Sequence, residues 1–99
     1  MLHTVNKSPF ERNTLETCLQ HAKDGSTILL IEDGVYAATE GTRFSDTIKK
    51  AMETKTVCAL LPDLKARGVH EKVIEGIKLV DYAGFVDLVE QNERVQAWL

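Results

Sequence analysis

Thr27-Ile28-Leu29-Leu30-Ile31-Glu32-Asp33-Gly34-Val35-Tyr36-Ala37-Ala38 is the stretch whose reading decides the fold. From Thr27 to Ile31 the run is apolar almost throughout and partly β-branched. A strand with one wet face would alternate polar and apolar residues. An unbroken apolar run suits a strand covered on both faces, as in a parallel sheet flanked by helices. Acidic Glu32 and Asp33 are expected to end the strand, and Gly34 to permit a tight turn into Val35–Ala38. The carboxyl ends of parallel strands are where sites gather, so Glu32-Asp33-Gly34 is the first place to look for a site or contact surface. Adjacent residues at a strand end point to opposite sides of the sheet, a poor geometry for a pair of catalytic carboxylates.

Upstream, Leu2–Val5 is short and apolar enough for a first strand, and Asn6-Lys7-Ser8-Pro9-Phe10 reads as a loop, with Pro9 holding Ser8 extended. Asn13 or Thr14 is placed to cap a helix to about Lys23, whose Leu15, Cys18, Leu19 and Ala22 recur at one-face helical spacing. Asp24-Gly25 closes that helix and the central strand follows. A strand–helix–strand unit of this length implies a right-handed crossover and parallel pairing.

Downstream, Thr39–Arg43 reads as a loop, and a helix from about Ser45 to Glu53 buries Ile48, Ala51 and Met52. Thr56–Leu61 is the next apolar strand, broken by Pro62-Asp63, with Leu64–Arg67 a turn or short helix that Gly68 ends. Val69–Gly76 reads as a loop with some helical character. Ile77–Val80 is a fourth strand, and Asp81 caps a helix whose expected buried stripe is Tyr82, Phe85, Val86 and Val89. Val95–Leu99 is a final strand carrying Trp98. The alternation predicts a three-layer α/β domain with a mainly parallel sheet of about five strands, filling residues 1–99 as one domain.

With 99 residues, 43% of them hydrophobic and 27% charged, the composition is that of an ordinary globular protein. A formal net charge of -3 argues against direct nucleic-acid binding, which needs a basic footprint. No apolar stretch approaches the ~20 residues that span a bilayer, so no membrane partner is expected. The start, Met1-Leu2-His3-Thr4-Val5, lacks a secretory pattern, and two cysteines then read as reduced thiols in the cytoplasm.

No phosphate-cradling GxxxxGK[ST] or GxGxxG sequence is present, nor CxxC, HExxH or a His/Cys cluster with metal spacing; neither cofactor nor metal is expected. His3, His21 and His70 fall in a strand, a helix and a loop with no shared spacing, and read as solvated or structural. A sulfur-carrying cysteine must be partly exposed and ionised, ideally beside a cation or at a helix N-terminus. Cys58 lies inside an apolar strand. Cys18 lies on the inward stripe of its helix, and neither Arg12 nor Lys23 is spaced to stack on it. Both read as core residues.

Several segments together resemble the TusB/DsrH family of sulfur-relay subunits. They are Leu2–Phe10, Glu32–Ala38, Asp63–Gly68, Asp81–Val86 and the ending Gln96-Ala97-Trp98. The series runs in order along essentially the whole chain. The resemblance implies a flavodoxin-like α/β fold of the DsrE type. It also implies two homologous partners, TusC/DsrF-like and TusD/DsrE-like, in a dimer of heterotrimers that passes persulfide sulfur to a TusE/DsrC-like acceptor. In the Tus branch that sulfur serves 2-thiolation of tRNA wobble uridine; in the Dsr branch it serves cytoplasmic sulfur oxidation. The persulfide cysteine belongs to the TusD/DsrE subunit, which fits the lack of a well-placed nucleophile here. The setting of Cys18, Leu15-Glu16-Thr17-Cys18-Leu19, and the opening Val5–Asn13 look more like the Dsr branch.

The leading expectation is therefore an interaction subunit with an exposed apolar surface for its partners. Candidate contacts are Glu32, Asp33, Gly34, Tyr36 and Trp98, with Val35 and Phe44 beside them. One rival is a stand-alone sulfurtransferase with Cys18 as persulfide carrier. Another is a small-ligand-binding domain using Glu32-Asp33-Gly34.

Overall fold

The computed structural model describes residues 1–99 and places every expected strand. They are β1 (Leu2–Val5), β2 (Thr27–Leu30), β3 (Thr56–Leu60), β4 (Lys78–Val80) and β5 (Val95–Trp98). The helices are α1 (Thr14–His21), α2 (Ser45–Ala51), α3 (Leu61–Ala66) and α4 (Tyr82–Gln91). All neighbouring strands run parallel in the order β4-β3-β2-β1-β5. The expected three-layer parallel α/β architecture is thus present, and within it the order differs from the 2-1-3-4-5 winding of flavodoxin itself.

That order decides what each face of the sheet carries. From β1 to β4 the chain steps in one direction, so successive right-handed crossovers put α1, α2 and α3 on the same face. Between β4 and β5 the direction reverses, and the same handedness sends α4 to the opposite face. Residues two apart along the strands sort accordingly. Val5, Ile28, Leu30, Val57 and Ala59 join Leu15, Cys18, Ile48 and Leu64 in a cluster of 15 buried residues. On the other face Leu2, Leu29 and Cys58 form a buried cluster of 3, covered by half-buried Ile31, Val80, Phe85 and Leu88. Burying a side chain such as Ile28 or Leu30 completely contributes about 2 kcal/mol. Most of the core therefore lies on the three-helix side.

Three local expectations are corrected. Pro62 and Asp63 do not break the chain after β3; they begin α3, where proline's missing N–H has no intrahelical partner to lose. Glu32 and Asp33 do not flank a strand end. β2 stops at Leu30, and Glu32–Ala38 forms a seven-residue 3₁₀ segment, longer than such segments usually run. In α4 only Phe85 of the expected buried stripe faces the sheet; Tyr82, Val86 and Val89 are turned outward, 61%, 55% and 40% exposed. The face toward the sheet is Phe85 and Leu88, about a quarter-turn away. The expected cap of α4 is present, with the Gly84 N–H donating to Asp81 Oδ1 at 2.7 Å. No helix is long and apolar enough to cross a membrane.

Candidate functional site

At the carboxyl edge of the sheet, the segments after β1, β2 and β3 converge. Gly34 is buried against the end of β1, and a Cβ there would run into the Val5 carbonyl. Only a residue without a side chain lets the 3₁₀ segment pass so close. To reach that path the chain puts Glu32 at φ 50°, a left-handed conformation uncommon outside glycine. The Glu32 N–H donates to Asp63 Oδ2 at 2.6 Å, and Ile31 N–H donates to the Val5 carbonyl at 3.0 Å. Asn6 Nδ2 reaches Glu32 Oε2 at 3.4 Å.

Asp33 is held by Arg67 of the α3 end, Nε to Oδ1 2.9 Å, while Arg67 Nη1 also donates to the Asp63 carbonyl at 3.2 Å. The expected Glu32-Asp33-Gly34 cluster thus joins Asn6, Asp63 and Arg67 in a polar lattice that ties β1, β2 and α3 together. It contains no nucleophile. The sequence reading missed Asp63 and Arg67 as partners of this cluster; a carboxylate and an arginine four residues apart, at the two ends of a short helix, were the available signal.

The other candidate contacts divide by burial. Glu32 and Asp33 are exposed and Tyr36 half-buried, so their side chains can meet a partner. Gly34, Val35 and Phe44 are buried, at 6% exposure or less for the last two, because the 3₁₀ segment and the α2 start fold onto the large core. Gly34 and Val35 have no surface to offer, and Phe44 contributes only to the lining of a neighbouring cleft. Trp98 is half-buried and packs against that core.

Trp98 anchors a cluster that the sequence did not announce. Its Nε1–H donates to His3 Nδ1 at 3.0 Å, and its ring lies 6.2 Å from His3 and 5.8 Å from His21, centroid to centroid. His3 is 4% exposed. Burial, aided by the nearby N-terminal ammonium, pushes its pKa below the ordinary histidine value. As an acceptor at Nδ1, His3 must be neutral with its proton on Nε2. The cluster joins β1, β5 and the end of α1, and its role is to fasten the edge strand.

Both cysteines are free and buried, as their sequence setting implies. Burial pushes the Cys18 thiol up to about 12, against a weaker opposing pull from Lys55. Burial also raises Cys58, with Lys78 opposing. The cation nearest in effect to Cys18 is thus Lys55, which is itself paired to Asp24 at 3.6 Å, and not Arg12 or Lys23. A thiol raised and enclosed in this way is a poor nucleophile. No group of three or more His, Cys, Asp or Glu side chains is arranged to hold a metal ion.

A family model described as "DsrH like protein" matches residues 7–95. Protein TusB of Pectobacterium parmentieri is 34% identical over 99 residues, covering 99% of this chain and all of that protein. Protein TusB of Escherichia coli K12 is 36% identical over 98 residues, with the same coverage. Among solved structures, the ychN protein from E. coli superposes with a TM-score of 0.79 at 14% identity, over 97% of each chain. A Thermotoga maritima protein solved by NMR superposes at 0.64 with 26% identity, over 95% of this chain and 97% of that one.

Proposed function

The chain belongs to the DsrH family, with TusB proteins as full-length relatives, and from that premise we propose that it is a non-catalytic subunit of a sulfur-relay complex. In this reading it stands beside TusC/DsrF-like and TusD/DsrE-like subunits in a dimer of heterotrimers. The complex relays persulfide sulfur to a TusE/DsrC-like acceptor, in the cytoplasm. The sulfur goes either to tRNA wobble uridine 2-thiolation or to sulfur oxidation, with Cys18 in its Leu15–Leu19 setting leaning to the latter.

The observation that carries the reading is the apolar stripe Tyr82, Val86 and Val89, left in solvent on α4. A helix that is apolar on two adjacent stripes, one packed and one bare, is suited to a neighbouring subunit. Glu32, Asp33, Tyr36 and the edge around Trp98 are further proposed contacts. The buried state of Cys18 and Cys58 supports the division of labour, in which another subunit holds the reactive thiol.

Affinity purification of the chain from its native host, with mass spectrometry of what accompanies it, tests the proposal. Two similarly small α/β subunits, one with a reactive cysteine, are expected. Co-purifying tRNA-thiolation enzymes or sulfite-reductase proteins would select the branch. A chain that comes down alone, with Cys18 labelling rapidly by a thiol reagent, would overturn the subunit reading in favour of a stand-alone sulfurtransferase. Sulfur transfer by the complex should survive Cys18→Ser undiminished.

A further inference from the structure

On the same carboxyl edge of the sheet, but away from the Glu32–Arg67 lattice, a cleft of about 540 Å³ opens between the loop after β1 and the start of α2. Its apolar wall is Phe10 and Phe44, in edge-to-face contact with centroids 5.2 Å apart. Phe44 is buried, while Phe10 remains 48% exposed. The Arg43 guanidinium lies 4.9 Å from the Phe44 ring centre and 5.7 Å from that of Phe10. Arg12 lines the same cleft and donates only to the neighbouring Glu11 carbonyl, at 3.3 Å.

Neither arginine takes part in the chain's ion pairs, which are Lys49–Glu40, Lys55–Asp24 and Arg67–Asp33. Glu11 and Glu16 also line the cleft, yet both guanidinium groups remain without a carboxylate. A guanidinium stacked on an aromatic face keeps its in-plane N–H donors for a second partner, and its fork matches a carboxylate. In a protein of negative net charge, Arg43 over the exposed Phe10 ring and Arg12 in the same cleft are two guanidinium groups free of any ion pair.

We propose that this cleft binds a single carboxylate carried beside an apolar side chain on a protein partner. The carboxylate would sit between Arg43 and Arg12, and the apolar side chain against Phe10. Glu11 and Glu16 give the cleft its selectivity. Two resident carboxylates leave its charge balanced, which tolerates a single negative charge and opposes a dianionic phosphate or a polyanion. The site does not depend on the sulfur-relay reading: of the contacts the sequence suggested for that reading it shares only Phe44, which enters here as a buried wall of the cleft.

Amide NMR titration of the intact chain tests it with two probe peptides, acetyl-Ala-Ala-Phe and acetyl-Phe-Asp-Phe-amide. Saturable shifts at Phe10, Arg43, Phe44 and Thr47 are expected with at least one of them. Preference for the first would assign the carboxylate to a chain end, and for the second to a side chain. Amidation of the first, or Asp→Asn in the second, should weaken binding about tenfold, as should Arg43→Gln or Arg12→Gln. Equal binding of acid and amide, shifts that survive both arginine variants, tighter binding of phenyl phosphate, or no shifts at all would each overturn the assignment.

Discussion

The two faces of this sheet are made from the same strands and end in opposite conditions. On one, three helices and a 3₁₀ segment close over 15 buried residues. On the other, α4 alone covers 3, and its second apolar stripe stays in water. The difference follows the direction of winding, which sends three crossovers to one face and a single one to the other. One reversal after β4 leaves a single crossover to shield a whole face. What such a face lacks in its own helices it can gain from a neighbour, so asymmetric winding and subunit assembly are linked.

The comparison can be broken at its tightest point first. Gly34→Ala should abolish folding or lower stability by about 3 kcal/mol or more, because the new Cβ meets the Val5 backbone, which has no freedom to move. A normal urea midpoint for this variant would mean that the 3₁₀ segment does not pass where it is described.

A matched pair of truncations measures the faces against each other. Leu30→Ala, on the crowded face, should cost about 3 kcal/mol through lost burial and the cavity left behind. Leu88→Ala, under the bare side of α4, should cost only about 1 kcal/mol in the isolated chain, since Leu88 is half-buried. Equal costs in urea denaturation would erase the distinction.

The His3–Trp98 bond predicts a pH dependence with a definite sign. The folded pKa of His3 lies below the unfolded value near 6.5, so the unfolded chain binds the proton more readily. Its contribution is complete above about pH 6.5 and is lost as pH falls from there through the lowered folded value. Urea midpoints taken from pH 8 down to 5 should therefore decline in the wild-type chain, and more shallowly in His3→Gln. Parallel profiles would remove His3 as the cause.

The smallest effect is expected on the bare stripe. Val86→Ser should change the stability of the isolated chain by no more than about 0.5 kcal/mol. The same change should weaken recovery of the partner subunits, and a loss of stability without a loss of partners would show that the stripe is packed within the chain.

How far the residues alone could be read follows the same division. The strands were readable because Thr27–Leu30 and Thr56–Leu60 are too apolar to have a wet face. The Asp81 cap and the inward Cys18 were readable because both depend on spacing within a few residues. The outward stripe of α4 was misplaced because periodicity finds an apolar face without saying what it faces. Pro62 was misread because proline ends strands and begins helices with the same geometry. The His3–Trp98 bond joins residues 95 apart in sequence, and no local pattern could pair them.

The reversal of winding also orders the events of folding. Leu2 pairs with Val95 across nearly the full length of the chain, whereas β1 pairs with β2 across a single helix. Contacts between such distant residues carry a large loop-closure cost and form slowly. Until β5 arrives, one side of β1 is an open hydrogen-bonding edge beside a histidine with no indole to meet. A nascent chain therefore spends its synthesis with its oldest strand unguarded, competent to pair with the wrong edge. Slower synthesis of the final segment should lengthen that exposure, while a mature chain, once Trp98 has closed over His3, is past the hazard.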